Sequence, residues 1–207
     1  MVRKSDPAWP WMIGAFASAM ALALADLAVR GISDDNLRLA LALTARWSFL
    51  FFWLAYTGGA MAVLFGATFA GLARRARELG LAFAAAHLVH VGLVIRLGLL
   101  RGEVPLQGGV LLFFLVALFF AYLLALLSFG IGTRKLGRLW RPLLFLGTSY
   151  ILIAFGRDFV NGALSSRIQE SRYALLYVPF AMLTLAALLL RFAAFLRRRF
   201  PMRSAAA

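Results

Sequence analysis

The chain has 207 residues, 63% of them hydrophobic, and carries 22 Lys and Arg against 8 Asp and Glu, a formal charge of +14. A mean hydropathy of +0.87 and windows of about 20 residues free of any charge exclude an ordinary soluble domain, whose helices alternate polar and apolar positions. The absence of cysteine excludes disulfides, iron–sulfur clusters and thiolate ligation.

The apolar runs are continuous rather than alternating, which argues for helices and against a membrane β-barrel. The expected fold is all-α: an integral membrane bundle of six transmembrane helices, one domain over residues 1–207. The first span is expected at 9–29. Arg3 and Lys4 ahead of a run containing "ALALA" resemble a signal peptide, but the apolar stretch is long enough to cross a membrane and is read as a retained span. The second, 47–70, holds Thr57-Gly58-Gly59-Ala60 and Gly66. These small residues offer a smooth face for another helix or a flat macrocycle, helix packing being the simpler use. The third span, 79–99, contains both histidines of the chain. The fourth runs over 110–129, and the fifth, over 140–155, is the shortest and closes on Gly156-Arg157-Asp158. The sixth covers 173–195, where Pro179 is expected to kink the helix and free the carbonyl of Leu175.

Basic residues gather between alternate spans: Arg3 and Lys4, then Arg74, Arg75 and Arg77, then Arg134, Lys135, Arg138 and Arg141, and finally the tail "RFAAFLRRRF". The positive-inside rule places both termini in the cytoplasm. Short basic clusters beside apolar runs suit the lipid bilayer and its anionic head groups, not nucleic acid. Trp9, Trp11, Trp47 and Trp140 stand at expected span starts and read as interfacial anchors. Short loops imply antiparallel neighbours in a compact bundle. No G-x-G-x-x-G or Walker sequence occurs, so no nucleotide cofactor is expected in this chain. A transporter reading lacks internal repeats and intramembrane charges to support it.

The stretch "AFAAAHLVHVGLVIR", residues 82–96, places His90 near mid-depth and His87 one turn closer to the cytoplasm, about 60° around the helix. Polar groups at that depth have a reason to be there. One reading is axial ligation of heme iron, with His90 as the metal ligand and cofactor-binding residue and His87 as the second choice. The other is hydrogen bonding to a carbonyl or hydroxyl on a neighbouring helix. Two imidazoles one turn apart cannot grip one iron from opposite faces, and a zinc site lacks its third and fourth ligands. Asp26 near the end of the first span is expected to pair with Arg30 or Arg157.

Three of these features together resemble the ferric-reductase-like transmembrane family, in particular its MsrQ-type heme membrane subunits: "TGGA", "RRARELGLAFAAAHLVH" and "LGRLWRPLLF". The resemblance covers roughly residues 46–158. It implies a membrane electron-transfer subunit, an oxidoreductase component of the bacterial inner membrane, with a b-type heme on His90, ten residues after Gly80. It also implies a quinol or flavoprotein electron donor and other membrane or redox protein subunits as partners. Where the family carries two further histidines, this chain has Leu144 and Arg157, and the outer position of two-heme members falls near Glu103. At most one heme is therefore expected: five-coordinate on His90, or completed by a Met or Tyr, or by a partner chain. Arg30, Arg96 and Arg157 are the candidate propionate partners. The alternative is a heme-free structural or assembly subunit of a larger membrane complex.

Overall fold

The computed structural model describes residues 7–129, 132–165 and 171–200. Its longer helices are α1 (Trp9–Arg30), α2 (Asp34–Phe65), α4 (Ala76–Arg101), α5 (Gly108–Ser128), α6 (Trp140–Ala163) and α7 (Ser171–Arg199), with a short α3 (Ala70–Arg74). Six helical stretches are long and apolar enough to cross a membrane, and no strand occurs among the described residues. The protein is an integral membrane bundle, and the bilayer is its solvent.

The largest departure from the expected spans is α2, which begins at Asp34 rather than near Trp47. Three local features start it early. Ser33 caps the helix by accepting from the Asn36 backbone N–H at 3.3 Å, and Asp34 and Asp35 sit at the positive end of the helix dipole. The Asn36 side chain closes the turn from α1, donating to the carbonyls of Arg30 (2.7 Å) and Gly31 (3.0 Å). At 32 residues, α2 is about 48 Å long, well beyond the ~30 Å hydrocarbon core. Its charged first turn therefore stands clear of the apolar segment. Trp47 lies inside the bundle, where its indole N–H donates to Ser18 Oγ on α1 at 2.9 Å. Similarly, α6 continues past residue 155 to Ala163, keeping Arg157 and Asp158 helical.

At Gly66, whose φ of +76° lies in the region that favours glycine, the chain leaves α2 and folds back through α3. A Cβ on Gly58 would stand 3.0 Å from Leu72 Cγ and 3.2 Å from its backbone carbon, so that glycine lets α3 lie against α2. The "TGGA" face is thus used for chain packing.

Core packing follows residue size. Ala15, Ala19 and Ala23 on α1 meet Ala82 and Ala86 on α4, small faces that allow close approach. Phe49 and Phe52 on α2, Phe83 on α4 and Phe159 on α6 fill the wider centre, with Phe49 and Phe159 edge to face at 4.9 Å. α2 packs against α1, α4 and α7, whereas α5 rests mainly on α6 and only sparsely on α4. That uneven seating of α5 leaves a cleft between α4, α5 and α6. The start of α1 and the end of α7 lie at the basic end: Arg75 sits over Trp11 at 5.2 Å, and Arg197 donates to the Leu64 carbonyl.

Candidate cofactor site in the cleft

Two cavities occupy the cleft. One, of about 650 Å³, lies toward the basic end and is lined by Arg77, Arg141 and Arg191 among apolar side chains. The other, of about 290 Å³, runs toward the opposite end and is lined by His87, His90, Asp158, Val94, Leu118 and Phe155. Phe83, Ala121 and Ile151 belong to both and form the wall between them.

The two histidines are brought to one cavity and fixed in one protonation pattern. His90 Nδ1 lies 3.1 Å from the Leu41 carbonyl oxygen on α2. A carbonyl only accepts, so the proton sits on Nδ1 and Nε2 keeps its lone pair. Thr44 Oγ1, 3.5 Å away, gives its own proton to the Ala40 carbonyl at 2.8 Å and adds a second acceptor. His87 Nδ1 lies 3.3 Å from Ser48 Oγ. That hydroxyl donates to the Ala45 carbonyl at 2.9 Å, so it too accepts from the imidazole. The rings stack with centroids 5.0 Å apart and planes 20° from parallel. Both therefore carry an unprotonated Nε2 on the side chain that lines the cavity. Each histidine does make the bond to a neighbouring helix that its sequence context allows, and makes it with the nitrogen that ligation does not need. Metal-ligating histidines are oriented in this way by a bond at the other ring nitrogen.

Two further polar residues belong to this region. Arg46 on α2 is 4% exposed; its Nε–H donates to the Leu176 carbonyl at 2.8 Å and Nη1 to Ala42 at 2.9 Å. The guanidinium lies over the rings of Tyr177 (4.3 Å) and Phe159 (5.1 Å). Pro179 has no N–H for the Leu175 carbonyl, and Arg46 takes the carbonyl next to it, which ties α2 to α7 at the proline. Asp158 faces the histidine cavity, but no ion pair joins it to Arg46 among the described residues.

The other sequence-derived positions are dispersed. Leu144 lines the larger cavity, away from the histidines. Arg157 lies over Phe113 and Phe114 at 5.1 and 5.8 Å. Arg30 pairs with Asp26 at 3.0 Å, one of the two partners expected for that aspartate. Arg96 is exposed on α4, and Glu103 lies in the turn beyond it. No Met or Tyr lines the histidine cavity, and no group of three His, Cys, Asp or Glu is placed to hold a metal ion among the described residues.

The donor chemistry of His90 thus fits an axial ligand to heme iron. The space around it fits less well. A volume of about 290 Å³ stands at the lower edge of the roughly 300–1,000 Å³ of ordinary ligand pockets, and the charged group in the lining is an acid, which repels propionates. A porphyrin needs α5 to move outward from α4, against which it packs only sparsely. No family model, curated protein or solved structure matches the chain. The class that the fold defines is a six-helix integral membrane protein with a histidine-lined cleft.

Proposed function

We propose that this chain is a membrane electron-transfer subunit of the ferric-reductase-like type, holding at most one b-type heme through His90 in a bacterial inner membrane. The observation that carries the reading is the Nδ1-held imidazole of His90, whose free Nε2 belongs to a cavity wall inside a membrane bundle. A heme held there supplies one-electron exchange between ferric and ferrous iron. The chain's own part is orientation and exclusion of water. The Leu41 carbonyl keeps the proton on Nδ1 and sets the ring plane, the stacked His87 restricts its rotation, and Phe83, Phe155 and Leu118 keep the surroundings apolar. Electrons come from quinol or a flavoprotein and leave through another redox subunit, because the chain carries no nucleotide-binding sequence. The basic end faces the cytoplasm.

A second reading, a heme-free structural or assembly subunit of a larger membrane complex, is favoured by the small, acid-bearing cavity and by Leu144 and Arg157 at the other ligand positions. An absorption spectrum of heme-supplemented protein in detergent, oxidised and then dithionite-reduced, separates the two. The expected result is a broad high-spin spectrum with a Soret band that shifts on reduction, lost in His90→Ala and kept in His87→Ala. A flat visible spectrum overturns the heme reading and leaves the second. Sharp low-spin α and β bands point to a sixth ligand brought by a partner chain.

A further inference from the structure

The larger cavity shares with the histidine site only the wall of Phe83, Ala121 and Ile151, and it has a different chemistry. Its lining takes Arg77 from α4, Arg141 from α6 and Arg191 from α7, so three guanidinium groups from three helices converge on one space of about 650 Å³. Among the described residues no carboxylate lines it. The nearby Glu78 is 3.8 Å from Arg77 Nη1 and lies outside the lining. Two of the three arginines are held in place by the protein: Arg77 Nε–H donates to the Ser128 carbonyl at 2.9 Å, and Arg191 lies over the Tyr56 ring at 4.2 Å. Below them the wall is apolar, formed by Phe52, Phe83 and Ile151.

Like charges gathered at a low-dielectric wall repel one another unless an anion stands between them. Guanidinium groups are suited to phosphate oxygens, which accept two N–H bonds from each fork. A cationic mouth over an apolar floor also matches a molecule with an anionic head and a hydrocarbon tail. The mouth lies at the basic end, the depth at which lipid head groups are met. We propose that this cavity binds a phosphate-bearing anion, with the phosphate held by Arg77, Arg141 and Arg191. Two sources supply that group: an anionic phospholipid whose acyl chain lies over Phe52, Phe83 and Ile151, or free phosphate.

Trp140 is part of the same lining and serves as the reporter. The full chain is reconstituted in phosphatidylcholine vesicles doped with phosphatidylglycerol brominated in its acyl chains, or in parallel with brominated phosphatidylcholine. Subtracting the Trp140→Phe variant isolates the Trp140 signal. In the lipid case brominated phosphatidylglycerol quenches Trp140 several-fold more than brominated phosphatidylcholine at equal mole fraction. Added inorganic phosphate leaves that preference in place. In the free-anion case the two lipids quench alike, and inorganic phosphate raises thermal stability of the wild type. Either effect disappears when Arg77, Arg141 and Arg191 are all changed to Gln and survives when all three become Lys. Arg141→Gln alone, which reduces the effect, covers a triple variant that does not fold. The proposal is overturned if neither lipid preference nor phosphate stabilisation occurs, or if either persists unchanged without the arginines.

Discussion

Arg46 shows how much a single buried side chain can organise in a membrane bundle. It satisfies two carbonyls, covers two aromatic rings and joins α2 to α7 beside Pro179. Arg46→Ala is expected to destabilise the bundle by about 2–4 kcal/mol, through lost charge-assisted bonds and lost packing. Arg46→Lys should recover less than half of this, since an ammonium does not spread over a ring and reach both carbonyls. The difference is measured as thermal midpoints in detergent. In the sequence Arg46 looks like an interface residue, because it directly precedes a charge-free run. Only the early start of α2 moves it into the core, and no local pattern around Arg46 announces that. His90 was more legible. Its depth in an apolar span marks it as a candidate, but which ring nitrogen is free depends on Leu41, a backbone carbonyl on another helix.

Between elements, close approach and charge pairing each locate a weak point. Gly162 on α6 leaves no room for a side chain: a Cβ there would stand 1.9 Å from Tyr177 Cδ1 on α7. Gly162→Ala is therefore expected to push α6 and α7 apart and lower stability by about 1–3 kcal/mol. Gly59→Ala, with nothing within 4 Å of its Cβ position, should be neutral in the same melting assay. At the acidic end, Asp34 joins the start of α2 to Arg101 at the end of α4, with Arg38 as a second partner at 2.9 Å. Hydrogen bonds from Arg101 and then Arg38 hold the Asp34 carboxyl well below its ordinary value of 3.8. A lowered carboxylate stabilises the folded state above the unfolded value and loses that contribution as pH falls through the folded one. Asp34→Asn should thus lower the melting midpoint at neutral pH, and its gap to wild type should narrow progressively below pH 3.8. Helix ends were the least legible elements. Ser33, Asp34 and Asp35 form a helix start by type, but the apolar run that marks the span begins well after them.

Across the whole molecule, the six spans were readable because charge-free windows leave few alternatives in lipid. The cleft was not. α5 has the highest mean hydropathy of the six, 3.0, and so little polar contrast that its sequence does not distinguish a packed face from a lipid-facing one. The structure exposes Phe119 on α5 (60%). Phe119→Arg is expected to raise the apparent insertion free energy of this span by about 3–4 kcal/mol, the central arginine penalty plus the lost phenylalanine contribution, as read in a translocon-insertion assay. A much smaller cost would mean that Phe119 faces protein in the membrane.

The wall of Phe83, Ala121 and Ile151 has one more consequence. One cavity reaches the basic turns through Arg77 and Arg141, and the other reaches the opposite turn through Leu106. Together they trace a route along nearly the whole height of α4, interrupted by one collar of three side chains. Those three apolar side chains separate the arginine-lined space from the histidine-lined one, so a water or ion in either cavity meets a desolvating barrier before it reaches the other.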